Sequence, residues 1–236
     1  MNISATRVRF ASGIFLSVVT IAVATLAEPD SKLESVLNRM DESAARFRTA
    51  EASFAWTQYN KVIDETTETQ RGKIYFRRVG KDIQMAAEIT QPDTKLLIFS
   101  GGKIQIYQPR IDQVDVYDAG SHREEFESFL VLGFGGGGHG LLKSYDVKFL
   151  GPETVNGIEA EKLELIPKST RLRNNIARIL LWIDPARGVS VQQQFFEPSG
   201  DYRMAKYSDI QINQKLPDNA FRLKTTGKTK FVSAQG

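Results

Sequence analysis

Hydrophobic positions along this chain change their period once, and that change divides it into a helix followed by a long sheet. Between residues 31 and 47, Leu33, Val36, Leu37, Met40, Ala44 and Phe47 recur at three- and four-residue spacing. That stripe predicts an amphipathic helix. Ser31 with Glu34 forms a capping-box start, Asp30 offers a second cap, and Pro29 marks the boundary with the preceding segment. From residue 53 the period falls to two. Phe54-x-Trp56 opens a strand ending near Ile63, and the polar residues 64–70 form a turn. Arg71–Arg78 alternates, with Ile74, Phe76 and Arg78 on one face, and Gly80-Lys81-Asp82 makes a tight hairpin into Ile83, Met85, Ala87 and Ile89. Lys95–Ser100, Lys103–Gln108 and Gln113–Tyr117 continue the series. Connections this short cannot join parallel neighbours, so the strands form an antiparallel meander.

The alternation breaks at His122–Leu132, where Phe126, Phe129, Leu130 and Val131 suit a short apolar helix. A glycine run follows, Gly133-Phe134-Gly135-Gly136-Gly137-Gly138-His139-Gly140. Strands resume at 142–150, 160–167, 177–184, 189–197 and 201–213, separated by Asn156-Gly157, Pro185–Gly188 and Pro198-Ser199-Gly200-Asp201. Leu216–Asn219 reads as a helical turn before a last strand at Phe221–Lys224, and the polar residues 225–236 as a loose tail. The expectation is a mainly β, α+β domain of about eleven strands on one antiparallel sheet, too many to stay flat. The sheet should curl into an unclosed barrel, with the two helices as lid and plug on its concave face. That face is then either a filled core, which periodicity alone favours, or a lipid-sized pocket.

Charge matters mainly at the N-terminus. Arg7 and Arg9, an apolar core from Gly13 to Ala24, and small residues ending at Ala24 or Ala27 predict a cleavable signal peptide over 1–27, the alternative being an uncleaved anchor. Its removal lowers the formal net charge from +3 to +1 and leaves one domain, 28–236, expected in the periplasm as a monomer. The remaining charges alternate in sign along the strands, unlike the clustered cations of a nucleic-acid binder. The chain has no cysteine, which excludes disulfides and thiol chemistry. With 41% hydrophobic residues, its stability must come from a large core.

No catalytic constellation emerges. Gly133, Gly135 and Gly138 spell G-x-G-x-x-G, but they follow a helix and precede a period-two strand, the reverse of a dinucleotide-binding turn. A hinge or loop suits them better. His122 and His139 are the two histidines, and His139, between two glycines, reads as an exposed loop residue. Neither has carboxylates or thiolates nearby at metal-ligand spacing, so neither a metal nor another cofactor is expected. Glu124, Glu125 and Glu127 read as a solvated helix face, and no nucleophile elbow is present.

Five stretches in order carry a family resemblance. These are Phe54-Ala55-Trp56-Thr57-Gln58, Gly72–Arg78, Ser100-Gly101-Gly102-Lys103 with Ile106, Tyr107 and Pro109, Leu181-Trp182-Ile183-Asp184, and Asn213-x-x-Leu216-Pro217-Asp218-x-x-Phe221. Together they resemble the periplasmic lipoprotein carrier LolA and its relatives over nearly the whole mature chain, the last motif being the most specific. The resemblance implies an open barrel that binds acyl chains of lipoproteins, or another lipid, without enzymatic activity. It would carry cargo from an inner-membrane release complex to an outer-membrane acceptor. By position, Met40, Phe126, Phe129, Leu130 and Leu132 would line the pocket with Phe54, Trp56, Ile83 and Met85. Arg78 would latch the lid, and Gly133, Gly135, Gly136, Gly137 and Gly138 would form its hinge. The chain departs from the family pattern at Val79, where proline is usual, in 82–86, which lacks the usual tryptophan, and in the glycine-rich loop. Two other classes stand beside the carrier. One is a lipid- or lipoprotein-sensing module that binds a membrane partner, and the other is an envelope structural protein with a filled core.

Overall fold

The computed structural model describes residues 28–118, 120 and 132–234. The expected signal peptide, and Phe126, Phe129 and Leu130 of the expected lid, lie outside those residues.

Helix α1 (Glu28–Arg46) begins slightly ahead of its expected cap. It buries Val36, Leu37 and Met40 and leaves Arg39 and Glu42 in solvent, as its stripe requires. The chain then runs through β1 (Thr49–Asn60), β2 (Glu65–Val79), β3 (Asp82–Gln91), β4 (Lys95–Ser100), β5 (Lys103–Gln108) and β6 (Gln113–Asp118). All are consecutive antiparallel neighbours. After the glycine run come a short helix, α2 (Gly138–Ser144), and a second meander. This comprises β7 (Tyr145–Val155), β8 (Ile158–Pro167), the one-turn helix α3 (Thr170–Arg173), β9 (Arg178–Asp184), β10 (Val189–Phe196) and β11 (Tyr202–Ile212). Pairing of β1 with β11 joins the two meanders into one sheet.

A twelfth strand, β12 (Lys230–Ala234), corrects two expectations. The tail expected to be loose carries it, and it lies parallel to β6. The strand expected at 221–224 is instead irregular. Its Phe221 and Leu223 pack with Leu216 and Ala220 against Tyr75, Ala86 and Ile98 on the convex face. Side-chain burial there outweighs backbone pairing. Asp112, in the left-handed region with φ 46°, anchors the tail by accepting hydrogen bonds from Thr226 Oγ1 at 2.7 Å and Thr229 Oγ1 at 2.6 Å. The 12-stranded sheet runs β12-β6-β5-β4-β3-β2-β1-β11-β10-β9-β8-β7 and leaves β12 and β7 as edges. It is a mainly β, unclosed barrel.

The sequence motif at 213 also finds its reason. Asn213 sits at φ 58°. Its side-chain oxygen accepts from Arg48 N at 2.7 Å, and its amide donates to Arg46 O at 3.0 Å. One side chain thus stitches the end of α1 to the end of β11, satisfying a helix-terminal carbonyl that would otherwise lack a partner.

A half-filled concave face as the candidate binding site

The concave face is divided between two apolar clusters, one of them beneath α1. On the β7–β9 side, Val36 and Met40 of α1 pack with Tyr145, Leu163, Leu165, Ile179 and Leu181, all at or near full burial. That half is solid. On the β1–β5 side, register aligns two cross-strand rows, Phe76–Met85–Phe99–Ile104 and Ile74–Ala87–Leu97–Ile106. Ala52 stands opposite Ile74 on β1 and continues the second row. A cavity of ≈ 390 Å³ remains above the first row and beside Ile74 and Leu97 of the second. Such a volume is at the lower end of the about 300–1,000 Å³ span of small-molecule sites.

The cavity floor is Ile74, Phe76, Met85, Leu97, Phe99 and Ile104, with Trp56, Phe195 and Ala205 along its side. One end is polar, where Gln58, Glu68 and Gln70 of the β1–β2 hairpin face Glu197 and Arg203 of the β10–β11 hairpin. Arg203 and Glu197 pair at 3.1 Å. The cavity is therefore an apolar trough with a polar, charged mouth at the hairpin ends.

Two buried polar side chains interrupt the apolar wall. Tyr207 donates from its hydroxyl to Gln193 Oε1 at 3.3 Å, and Gln193 Nε2 donates to the Leu132 carbonyl. Burial raises the Tyr207 phenol well above its ordinary value, so it remains a neutral donor at any physiological pH. Ser190 N donates to Gly133 O at 2.9 Å. Arg78 donates to Gly135 O at 2.9 Å and to Ala44 O at 3.3 Å, with its Nε 3.3 Å from Phe47 O. Phe134 stacks on Phe76 at 4.8 Å and meets Tyr207 edge-on at 5.0 Å. The chain leaving 121–131 is thus pinned to the sheet on both sides of Phe134.

Of the residues singled out from sequence, Trp56 and Met85 line the cavity. Phe54 and Ile83 belong to the apolar cluster beside it, while Met40 and Leu132 sit in the solid half. Sequence reading passed over Phe76, Phe99, Leu97 and Ile104. Their alternation was visible, but only the register across β2–β5 aligns them. The glycine run is tightly packed at Gly133, Gly135, Gly137 and Gly138, while Gly140 at its end is exposed. Gly135 has φ +79°, and a Cβ there would stand 2.7 Å from Ile83 and Phe47 side-chain atoms. A Cβ at Gly138 would lie 2.3 Å from Leu37 O. Gly133 and Gly137 press similarly on Ser190 and Asp41, and Gly136, half-buried, lies between Gly135 and Gly137 in the chain.

His139, expected to be an exposed loop residue, is corrected by the fold. Its Nδ1 pairs with Asp41 and its Nε2 with Glu34 at 3.1 Å, while its backbone N–H donates to Asp41 Oδ1 at 3.2 Å. The hydrogen bond to Asp41 and then that to Glu34 raise the imidazole above its ordinary 6.5. Both acids lie about a hundred residues away, beyond any local spacing argument.

Residues 45–224 match the family described as outer membrane lipoprotein carrier protein LolA, and the chain belongs to that family. The family is described as one of lipoprotein carriers, and its fold suits binding of lipid or lipoprotein outside the cytoplasm. Comparison with curated protein sequences finds no match. An uncharacterized conserved protein from Thermus thermophilus is similar in structure, with TM-score 0.55 and 11% identity over 86% of this chain and 99% of that one. MucB is similar with TM-score 0.53 and 13% identity, over 86% of this chain and 66% of MucB. In the complex of Pseudomonas aeruginosa MucA and MucB, the likeness has TM-score 0.51 and 14% identity, over 81% of this chain and 61% of that one. At such identities these neighbours attest the fold alone.

Proposed function

We propose that this protein is a periplasmic carrier that takes an acyl chain of a lipoprotein, or of another lipid, into the trough above β2–β5 and ferries it from the inner to the outer membrane. The observation that supports this reading is the unfilled, apolar half of a concave face whose other half is solid. Family membership supplies the cargo class. A trough of ≈ 390 Å³ has room for on the order of a dozen methylene-sized groups, taking a water molecule's share of about 30 Å³ as the measure. At about 0.8 kcal/mol per buried CH₂, that is roughly 10 kcal/mol withheld from water. Because a bilayer offers the cargo nearly the same stabilisation, loading is close to neutral and direction must come from the donor and acceptor partners. A cargo with several chains needs more room than this, and in this reading Arg78 is the latch and the glycine run at 133–138 the anchored hinge of the lid.

The test is release of outer-membrane lipoproteins from spheroplasts by added purified protein. Trp56 and Ile104 line the trough and are half-buried, so Trp56→Glu and Ile104→Glu place an unpaired charge there without cutting into the solid core. Wild-type protein should release lipoproteins into the medium. Each variant, if folded by circular dichroism, should release at most about a tenth as much, since an uncompensated carboxylate costs upwards of 1 kcal/mol. Equal release by the variants would refute the trough as the cargo site.

A further inference from the structure

The β1–β2 hairpin ends in an apolar tip that the fold does not use. Val62 is 91% exposed and Ile63 56%, at positions where turns favour Asn, Asp, Gly or Ser. The tip is held firmly. Asn60 Oδ1 accepts from Val62 N at 2.9 Å and from Ile63 N at 3.3 Å, and Lys61 N donates to Asp201 Oδ1 of the β10–β11 turn at 2.8 Å. Beneath it lies a collar of half-buried aromatics. Tyr59 stacks on Tyr202 at 4.6 Å, and Tyr202 meets Phe196 at 5.6 Å. Arg178 lies 4.1 Å over the Phe196 ring, and Ala177 N donates to Phe196 O at 2.7 Å. This places segment 168–178 beside the collar, carrying Lys168, Arg171, Arg173 and Arg178 and no acid. The acids nearby are Asp64 and Glu65 on the hairpin, Asp201, and Asp146, Glu164 and Glu197, the last three paired with Lys168, Arg178 and Arg203. Inward from the tip, four residues before Val62 and five after Ile63, Gln58 and Glu68 form the polar mouth of the trough.

We infer that this end of the molecule docks on a lipid bilayer, with Val62 and Ile63 entering the acyl boundary. The aromatic collar sits at headgroup depth, and the cations of 168–178 lie against anionic headgroups. An exposed apolar tip, an aromatic belt above it and flanking cations are what an interfacial surface requires. Docking in this orientation brings the mouth of the trough to the membrane, so cargo crosses without passing through bulk water. The inference adds to the carrier reading, yet it is separable from it, because it needs no cargo.

The experiment is flotation of the full chain with vesicles of phosphatidylethanolamine and phosphatidylglycerol, beside vesicles of phosphatidylcholine alone. Wild-type protein should float with the first and more weakly with the second. Val62→Asp with Ile63→Asp, at exposed positions that leave folding intact, should weaken binding about tenfold or more. Arg171→Gln with Arg173→Gln should weaken binding to anionic vesicles only, an effect lost in high salt. Failure of wild-type protein to float with either vesicle, equal flotation of the Val62/Ile63 variant, or association that requires membrane proteins in the vesicles would each overturn the inference. Lipid retained by the Val62/Ile63 variant separates this result from the carrier reading, which stands or falls on the trough.

Discussion

At the residue scale, two side chains govern how residues 133–139 are held. Arg78 gathers the Ala44, Phe47 and Gly135 carbonyls, and hydrogen bonds from a charged donor contribute about 1.5–3 kcal/mol each when partly buried. Arg78→Ala should therefore lower the melting temperature by several degrees and speed proteolysis within 121–131, whereas Arg78→Lys, which keeps one donor, should fall between. Equal proteolysis rates would remove Arg78 from the latch role. His139 adds a pH dependence. Its folded pKa is raised by Asp41 and Glu34, so its contribution is complete below the ordinary 6.5 and is lost as pH rises through the folded value. The wild type should gain stability relative to His139→Gln on moving from pH 8 to pH 5.5, read from paired thermal melts. A gap that is flat across that range would show that the pair contributes nothing. Arg78 was legible from its motif. The His139 pairing was not, because it depends on α2 lying across α1.

At the scale of elements, the glycine run looked in sequence like slack, while the structure gives at least two of its members a place where no side chain fits. Gly138 allows the start of α2 to touch the backbone of α1, and Gly135 lets the chain pass between Phe47 and Ile83. Gly138→Ala should cost about 1–3 kcal/mol through overpacking, and Gly135→Ala a comparable amount, with added strain from its positive φ. Chemical denaturation midpoints report both, and unchanged midpoints would mean that the packing is softer than the geometry implies. The same lesson holds for the tail. Residues 225–236 read as a loose polar tail, yet their Phe231-Val232 segment forms β12 over the edge of β6, because Asp112 fixes the turn before it. Truncation after Gly227 should bare that edge and promote aggregation, measurable by light scattering during mild heating.

For the whole molecule, alternation and motif order made the curled sheet, its helical plug and its family legible. They could not tell a filled core from a hollow one. The answer is that both are present, and it depends on register. The Phe76, Met85 and Phe99 row faces a void, while Leu163, Leu165 and Leu181 pack with Val36 and Met40 of α1. No single strand encodes that difference. The most direct measurement is native mass spectrometry of the protein purified from the periplasm without detergent, beside Trp56→Glu. A hollow that works as a carrier predicts wild-type protein with a bound lipid mass, released on denaturation, and a variant without it. Wild-type protein free of any adduct, or a variant that carries the same one, would contradict the account.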